Sequence, residues 1–429
     1  MTEPLSPSEI DRIKQAVEAN FETQVSFLQD LVRTASLRGE EAEVQTMVAR
    51  ALVDRRYDVE RFGVDPQAVD EHPAYSPATI DYADTFNVSG MKMPKAQKGK
   101  SLILNAHTDV VPTADPSAWT YPPFSATRDG DWLYGRGAGD MKAGLVANIF
   151  AVDAIEAAGF RLTAPLQIQS VVDEETTGNG AAAAIHRGYT ADAVLIPEPT
   201  DEQLVFANSG VIKFKITTRG VPAHPRDPDS GLSAIDAAIQ LIAHLKGLEK
   251  KWNEERHKHP GFEKLRNPAS LNVGTISGGE WPSSVPFGCV FEGRIGFFPG
   301  EDPWERAREV EDSIGALLAE DARLARSAPV VEWVGTMQAG YRLADTSPAE
   351  EALRTAHGLV HNDALGRYIM ACYLDATLFA NHAGIPALTY GPIAENIHGI
   401  DERVNLSSLK RVTETIALLT AGWCGIESA

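Results

Sequence analysis

Three apolar runs of this 429-residue chain end in ionisable residues. Leu102-Ile103-Leu104-Asn105-Ala106 runs into His107-Thr108-Asp109, Leu166 to Val172 into Asp173-Glu174-Glu175, and Ala193 to Ile196 into Pro197-Glu198. Adjacent parallel strands bring such ends to one rim, and in open α/β sheets ligands bind outside the carboxyl ends of the strands. A single polar strand end needs no explanation beyond solvent. Three that carry imidazole and carboxylate, rather than serine, asparagine or lysine, point to chemistry. Carboxylates pressed together raise one another's pKa or demand a cation. A divalent ion meets that demand, and an imidazole–carboxylate set suits zinc, with manganese and cobalt as further candidates. Two ions ~3.5–4 Å apart can share a bridging carboxylate and a bridging water. A bridging candidate stands in Gly135-Arg136-Gly137-Ala138-Gly139-Asp140-Met141-Lys142. Its glycines let backbone and ion approach closely, and Asp140 comes just before a helix start. The segment lacks Walker spacing, and an aspartate would repel phosphate.

The elements that must position these groups follow from periodicity. Leu102 to Leu104 is a continuous apolar run of the kind found in buried parallel strands. A helix is expected near Lys142 to Ala158, a strand at Leu166 to Val172, a helix at about Gly180 to Arg187 and a strand at Ala193 to Ile196. This alternation indicates an α/β domain with a largely parallel sheet. Upstream, Ser6, Pro7 and Glu9 form a helix start with a capping box, a second amphipathic stretch spans Glu41 to Leu52, and 56 to 100 reads as loop with short strands. From Gly210 the order becomes strand, helix, strand, strand, helix, strand, as in a ferredoxin-like module. Lys250 to Pro268 looks like an insertion within it. The α/β pattern resumes with a helix from Pro348 to about Leu359 and an apolar run at Ile385 to Tyr390. The expected fold is therefore a discontinuous α/β domain (1–209 and 338–429) carrying an inserted, ferredoxin-like α+β domain (210–337).

Composition narrows the function classes. The net charge of -20 leaves no basic footprint for a nucleic-acid partner. No run of eighteen apolar residues suggests a membrane span, and MTEPLSPSEIDRIK shows no secretory signal pattern. Cys289, Cys372 and Cys424, far apart and odd in number, fit a reducing cytoplasm better than a disulfide framework.

In chain order, His107-Thr-Asp109-Val-Val-Pro, Gly137-Ala-Gly-Asp140-Met-Lys-Ala-Gly, Asp173-Glu174-Glu175, Pro197-Glu198-Pro and Ile397-His398-Gly resemble the M20 metallopeptidase family, whose members include deacetylases, desuccinylases, aminoacylases and carboxypeptidases. The resemblance implies a zinc-peptidase-like catalytic domain and two divalent metal ions. His107 and Glu198 would hold one ion, Glu175 and His398 the other, and Asp140 would bridge them. Asp109 would hydrogen-bond His107 and fix its tautomer, and Glu174 would be the general base. Three carboxylate ligands against two dications leave a surplus positive charge, which lowers the pKa of bound water towards ~7. A cis peptide is implied after Asp140. His224 would reach a neighbouring subunit's site, and Arg294 would bind a substrate carboxylate with its planar fork. The resemblance also implies that the inserted domain is a lid or dimerisation domain, with a homodimer formed through it. Pro225-Arg226-Asp227 and Ser283-Ser284 depart from the family pattern near the substrate.

The reaction so implied is amide C–N cleavage in a small carboxylate-bearing N-acyl amino acid or dipeptide-like molecule. The same activated water could instead displace ammonia from an aromatic amine, and a non-catalytic binding protein on the same fold is the third reading. His244, His357 and His361 lie on expected helices, where solvation or a core hydrogen bond accounts for them. His257 and His259 are expected to be solvated. Asp375 is read either as a residue near the site or as a helix cap.

Overall fold

The computed structural model describes residues 4–65, 68, 72–78, 80–227 and 230–429. Positions 66–67, 69–71 and 79, within the segment read as loop with short strands, lie outside the described residues. The capping box is present: the Ser6 hydroxyl accepts from the Glu9 N–H, and the Glu9 carboxylate accepts from the Ser6 N–H. It opens the helix Pro7–Arg33, whose buried stripe includes Ile13, Val17, Phe21 and Leu28. That stripe packs on the helices Ala143–Ala157 and Leu406–Cys424.

Among the described residues, nine strands form the large sheet. Their order is Asp58–Phe62, Asn87–Lys92, Leu166–Val171, Leu102–His107, Val194–Ile196, Ala387–Thr389, Leu204–Asn208 and Tyr341–Arg342, with Arg367–Met370 also paired to Leu204–Asn208. The four central strands run parallel, as the apolar runs predict, with Leu104 beside both Ile168 and Leu195 and Ala387 beside Val194. On the flanks Asn87–Lys92 lies antiparallel to Leu166–Val171 and Ala387–Thr389 antiparallel to Leu204–Asn208, while Arg367–Met370 runs parallel to Leu204–Asn208. The register places His107 beside Val171. Asp109, Glu174 and Glu198 thus leave three neighbouring strands at one rim.

A second, four-stranded antiparallel sheet has the order Leu271–Gly278, Gly288–Phe297, Gly210–Arg219, Val330–Gln338. The helices Ala234–Glu254 and Pro303–Glu320 pack on it and on each other. The sequence order of these elements is the expected strand-helix-strand-strand-helix-strand. A separate apolar cluster, with Phe214, Phe291, Leu241, Leu245, Val310 and Ile314, fills the space between.

Some expectations need correction. The insertion read at Lys250 to Pro268 begins as the last turn of the helix Ala234–Glu254 and continues in two short 3-10 turns. His259 is stacked on Phe298, 4.0 Å between ring centroids and 8° between planes, rather than solvated. The long helix Leu406–Cys424, capped by Asn405, was not read from the sequence. Thr413 and Thr415 are buried on it, so its apolar stripe is broken by hydroxyls that bond back to the Leu409 and Arg411 carbonyls.

Candidate metal centre

Each ionisable group is aimed by a local feature of the chain. Gly137 takes the left-handed conformation (φ 79°) at the head of the turn Ala138–Lys142, and the peptide after Asp140 is cis, as implied by the resemblance. The helix Ala143–Ala157 then begins at once. Gly144 on that helix meets Pro197: a Cβ there would stand 2.2 Å from the Pro197 carbonyl oxygen. Glycine thus lets the helix following Asp140 press against the strand end bearing Glu198. At the third strand end Asp173 has φ 57°, an uncommon conformation for a residue with a side chain. Its carboxylate accepts from Arg38 Nε (2.6 Å), the Tyr82 hydroxyl (2.5 Å) and Thr177. Asp173 is therefore a structural member of the acidic run, turning the chain so that Glu174 and Glu175 face the rim.

The resulting cluster is tight. His107 Nε2 lies 3.2 Å from Asp140 Oδ1, 3.7 Å from Glu198 Oε1 and 3.9 Å from Glu174 Oε2. His398 Nε2 lies 3.1 Å from Glu175 and 3.3 Å from Asp140 Oδ2. Asp140 turns one oxygen to each imidazole. The donor atoms of His107, Asp140 and Glu198, and those of Asp140, Glu175 and His398, lie within 4.8 Å of one another in each set.

The electrostatics test whether ions fit. Burial raises the pKa of Glu174 and Glu198 well above the usual carboxylate range, and neighbouring carboxylates add to it. Glu175 is raised by burial and by the Asp140 charge. His398 is pushed up to about 10 by its hydrogen bonds to Asp140 and Glu175. His107 is raised too: burial opposes the shift, and the bonds to Asp109 and Asp140 outweigh it. Left to itself the cluster recruits protons on both imidazoles to balance its carboxylates. Two dications would supply that charge and leave the nitrogens as ligands. The donor set, two imidazoles and three carboxylates, fits.

His107 Nδ1–H donates to the Asp109 main-chain carbonyl (3.0 Å), and the Asp109 carboxylate is 3.5 Å away. The carboxylate instead accepts from the N–H groups of Glu174 (3.1 Å) and Glu175 (3.0 Å). Asp109 thus orients His107 chiefly through its backbone, and its side chain ties two strand ends together. The roles of three further residues went unnoticed in the sequence. Glu402 Oε1 accepts from the N–H of Gly139 (3.1 Å) and Asp140 (3.2 Å), and its other oxygen pairs with Arg136. Arg136 also donates to the carbonyls of Pro112 and Gly399, both 3.1 Å. This buried pair joins the three loops that present Asp109, Asp140 and His398. Lys142, also buried, donates to the carbonyls of Leu31 and Thr34 at the end of the first helix. Arg136 and Lys142 lie inside the glycine-rich motif, and Glu402 follows His398 by one helical turn's worth of chain; no composition signal distinguishes any of them.

Glu402→Gln removes one charge of a buried pair and should cost about 3–5 kcal/mol of stability. Because Glu402 orients the backbone beside Asp140, metal affinity should fall about 10–100-fold. Denaturant unfolding and competition with a chromophoric chelator measure the two effects.

The cluster opens into a cavity of about 360 Å³ lined by Asp140, Glu174, Glu175, Glu198 and His398 on one side and by Val211, Met370 and Leu374 on another. Arg294 and Lys213 line it as well. Arg294 donates to Ser270 Oγ (3.2 Å) and the Ala371 carbonyl (3.3 Å), while Lys213 Nζ is held by the Glu175 and Thr176 carbonyls. Asp375 is buried at the N-cap of the helix Ala376–Ala383 without capping it, and accepts from the Tyr373 hydroxyl at 2.8 Å. His224 is exposed, does not line this cavity, and accepts from the Arg226 N–H.

A parallel-centred α/β sheet with this rim defines a metal-dependent hydrolase. The sequence pattern of Peptidase family M20/M25/M40 matches residues 103–421, and the chain belongs to that family. It is a hydrolase of amide C–N bonds acting on small molecules, and enzymes of the family bind divalent metal ions. The N-formyl-4-amino-5-aminomethyl-2-methylpyrimidine deformylase of Halalkalibacterium halodurans is 30% identical over 361 residues, 80% of this chain and 83% of the relative. The acetylornithine deacetylase of Proteus mirabilis is 29% identical over 333 residues, covering 76% and 81%. The di-peptidase Dug1p from Saccharomyces cerevisiae superposes with a TM-score of 0.80 at 15% identity over 98% of this chain and 99% of that one. Human carnosine dipeptidase 1 gives 0.74 at 16% identity, over 97% and 99%. At these identities the structural likeness is one of fold. Among the described residues, no helix is long and apolar enough to cross a membrane.

Proposed function

We propose that the protein is a dinuclear N-deacylase in which His107 and Glu198 hold one divalent ion, Glu175 and His398 hold a second, and Asp140 bridges them. The observation that carries this reading is the placement of Asp140, with one oxygen towards each imidazole. Zinc suits the donors best, with manganese or cobalt as substitutes. Bound ions supply an activated water as nucleophile and a Lewis acid for the amide carbonyl. Glu174 would take a proton from the attacking water and return it to the leaving nitrogen. Asp109 keeps His107 in the tautomer that leaves Nε2 free. Arg294 offers its fork to a carboxylate on the substrate, and the apolar wall of Val211, Met370 and Leu374 packs the rest. The deformylase and deacetylase relatives favour small acyl groups. A panel of N-formyl and N-acetyl amino acids, dipeptides and aromatic amines, run with metal analysis, tests the assignment; turnover of aromatic amines alone would overturn it.

Arg294→Ala should raise KM about 10–100-fold for carboxylate-bearing substrates, the loss of a charge-assisted pair. The neutral amide of the same substrate should be turned over as by the parent. Equal loss on both substrates would remove carboxylate binding from the reading.

The segment 210–337 is proposed as a lid and homodimerisation unit. Its edge strand Leu271–Gly278 is largely solvent-facing, with Ile276, Trp281 and Phe287 exposed nearby, a surface that pairing would cover. A second copy could then bring His224 to the cavity. Sedimentation equilibrium measures the assembly. The free thiols Cys289, Cys372 and Cys424 suit a reducing compartment, and we place the enzyme in the cytoplasm.

A further inference from the structure

A third cluster of metal-binding side chains stands apart from the catalytic rim. His357 lies in the last turn of the helix Pro348–Val360, and His361 caps its end. Four residues of separation put both imidazoles on one face. Asp363 follows in the loop, and one donor atom from each of the three lies within 4.8 Å of the others. The sequence reading, which assigned both histidines to solvation or a core hydrogen bond, accounts for only one of the two nitrogens of His357.

That residue is 3% exposed. Its Nδ1 is 2.9 Å from the Tyr390 hydroxyl, while its Nε2 meets no hydrogen-bond partner among the described residues. Leaving a buried polar atom unsatisfied costs about 1–3 kcal/mol. His361 is also framed: its Nε2 is 3.3 Å from Tyr390 Oη, and its Nδ1 is 3.6 Å from Glu202 Oε2. Burial and the neighbouring His361 hold His357 down to about 4, and burial lowers His361.

We propose that His357, His361 and Asp363 form a separate site for a divalent transition-metal ion, with zinc as the probe. Two imidazoles and a carboxylate are a zinc donor set. A His357 Nδ1–H donating to the Tyr390 hydroxyl, 2.9 Å away, would fix the tautomer that presents Nε2, the usual support for a ligating imidazole. The two rings are stacked, 3.9 Å between centroids and 9° between planes. Donors on a tetrahedral zinc with bonds of ~2.0–2.1 Å stand about 3.3 Å apart, so capture requires His361 and the exposed Asp363 to turn inward. Glu202 and Tyr390 belong to segments already joined by the bond from the Glu202 N–H to the Gly391 carbonyl (2.9 Å). An ion here would fasten the end of the helix Pro348–Val360 to the loop that carries Asp363.

The site is independent of the catalytic assignment, and the test keeps them apart. Zinc per chain is measured by mass spectrometry after saturation and desalting. We expect three in the parent, two in His361→Ala/Asp363→Ala with amide hydrolysis unchanged, and one in His107→Ala/His398→Ala. Asp363→Ala alone, a change at an exposed loop position, should weaken one zinc about 10–100-fold in competition with a chromophoric chelator. Equal zinc in the parent and His361→Ala/Asp363→Ala, or unchanged affinities in Asp363→Ala, overturns the proposal. Zinc retained in full by His107→Ala/His398→Ala would instead overturn the dinuclear reading.

Discussion

Glu174→Gln should lower kcat by about 10³-fold while leaving the metal content of the protein unchanged. Glu174 lies in the cluster, 3.9 Å from His107 Nε2, yet belongs to neither of the two chelating sets, whereas its neighbour Glu175 is turned to His398. The bonds that the Asp109 carboxylate accepts from both main-chain N–H groups hold the pair in that divergent arrangement. Glutamine keeps the shape and loses the basic oxygen, so the loss falls on proton transfer, which is worth about 10²–10⁴-fold. Steady-state rates and metal analysis on the same preparation check both halves. A rate near the parent's, or a loss of metal, would remove Glu174 from the role of base.

Asp140→Asn should remove at least one ion and lower the rate by about 10³-fold or more. An amide offers a single neutral oxygen where the carboxylate now turns one to His107 and one to His398. The variant also loses the charge that those imidazoles balance. Electrostatic stabilisation by a metal is worth several kcal/mol, and each ~1.4 kcal/mol is tenfold in rate. Isothermal titration with zinc of stripped protein in the His361→Ala/Asp363→Ala background, where only the rim titrates, should show two binding events with Asp140 in place and one or none with asparagine there. Two undiminished events would mean that Asp140 bridges nothing.

The cluster itself was legible in the sequence because it lies where local rules act. An apolar run ending in His107 or Glu198 is a strand delivering a side chain to a rim, and glycines around Asp140 mark a close approach. What escaped depends on distant chain. Glu402 matters because it reaches the Gly139 and Asp140 N–H groups, and Arg136 because it bridges Pro112 and Gly399. Asp173 looks like a third acid of a reactive run, yet Arg38 and Tyr82 hold it in a structural turn. The parallel centre of the sheet followed from unbroken apolar runs. The antiparallel flanks did not, since pairing direction is set by the connections between strands rather than by their composition. The fourfold spacing of His357 and His361 was visible, but the tyrosine that consumes one nitrogen arrives from residue 390.

His398 sits on a loop with half its side chain in solvent, and its co-ligands are Asp140 and Glu175. An ion held between them would act as a reversible cross-link, closing a loop on the order of 250 residues. The unfolded chain has no such juxtaposition, so cation occupancy adds directly to the folding equilibrium, about 4 kcal/mol at a thousand times the dissociation constant. Chelation would therefore do more than silence the enzyme: it would free the loop that carries His398 from the strand ends, and proteases should find that loop first.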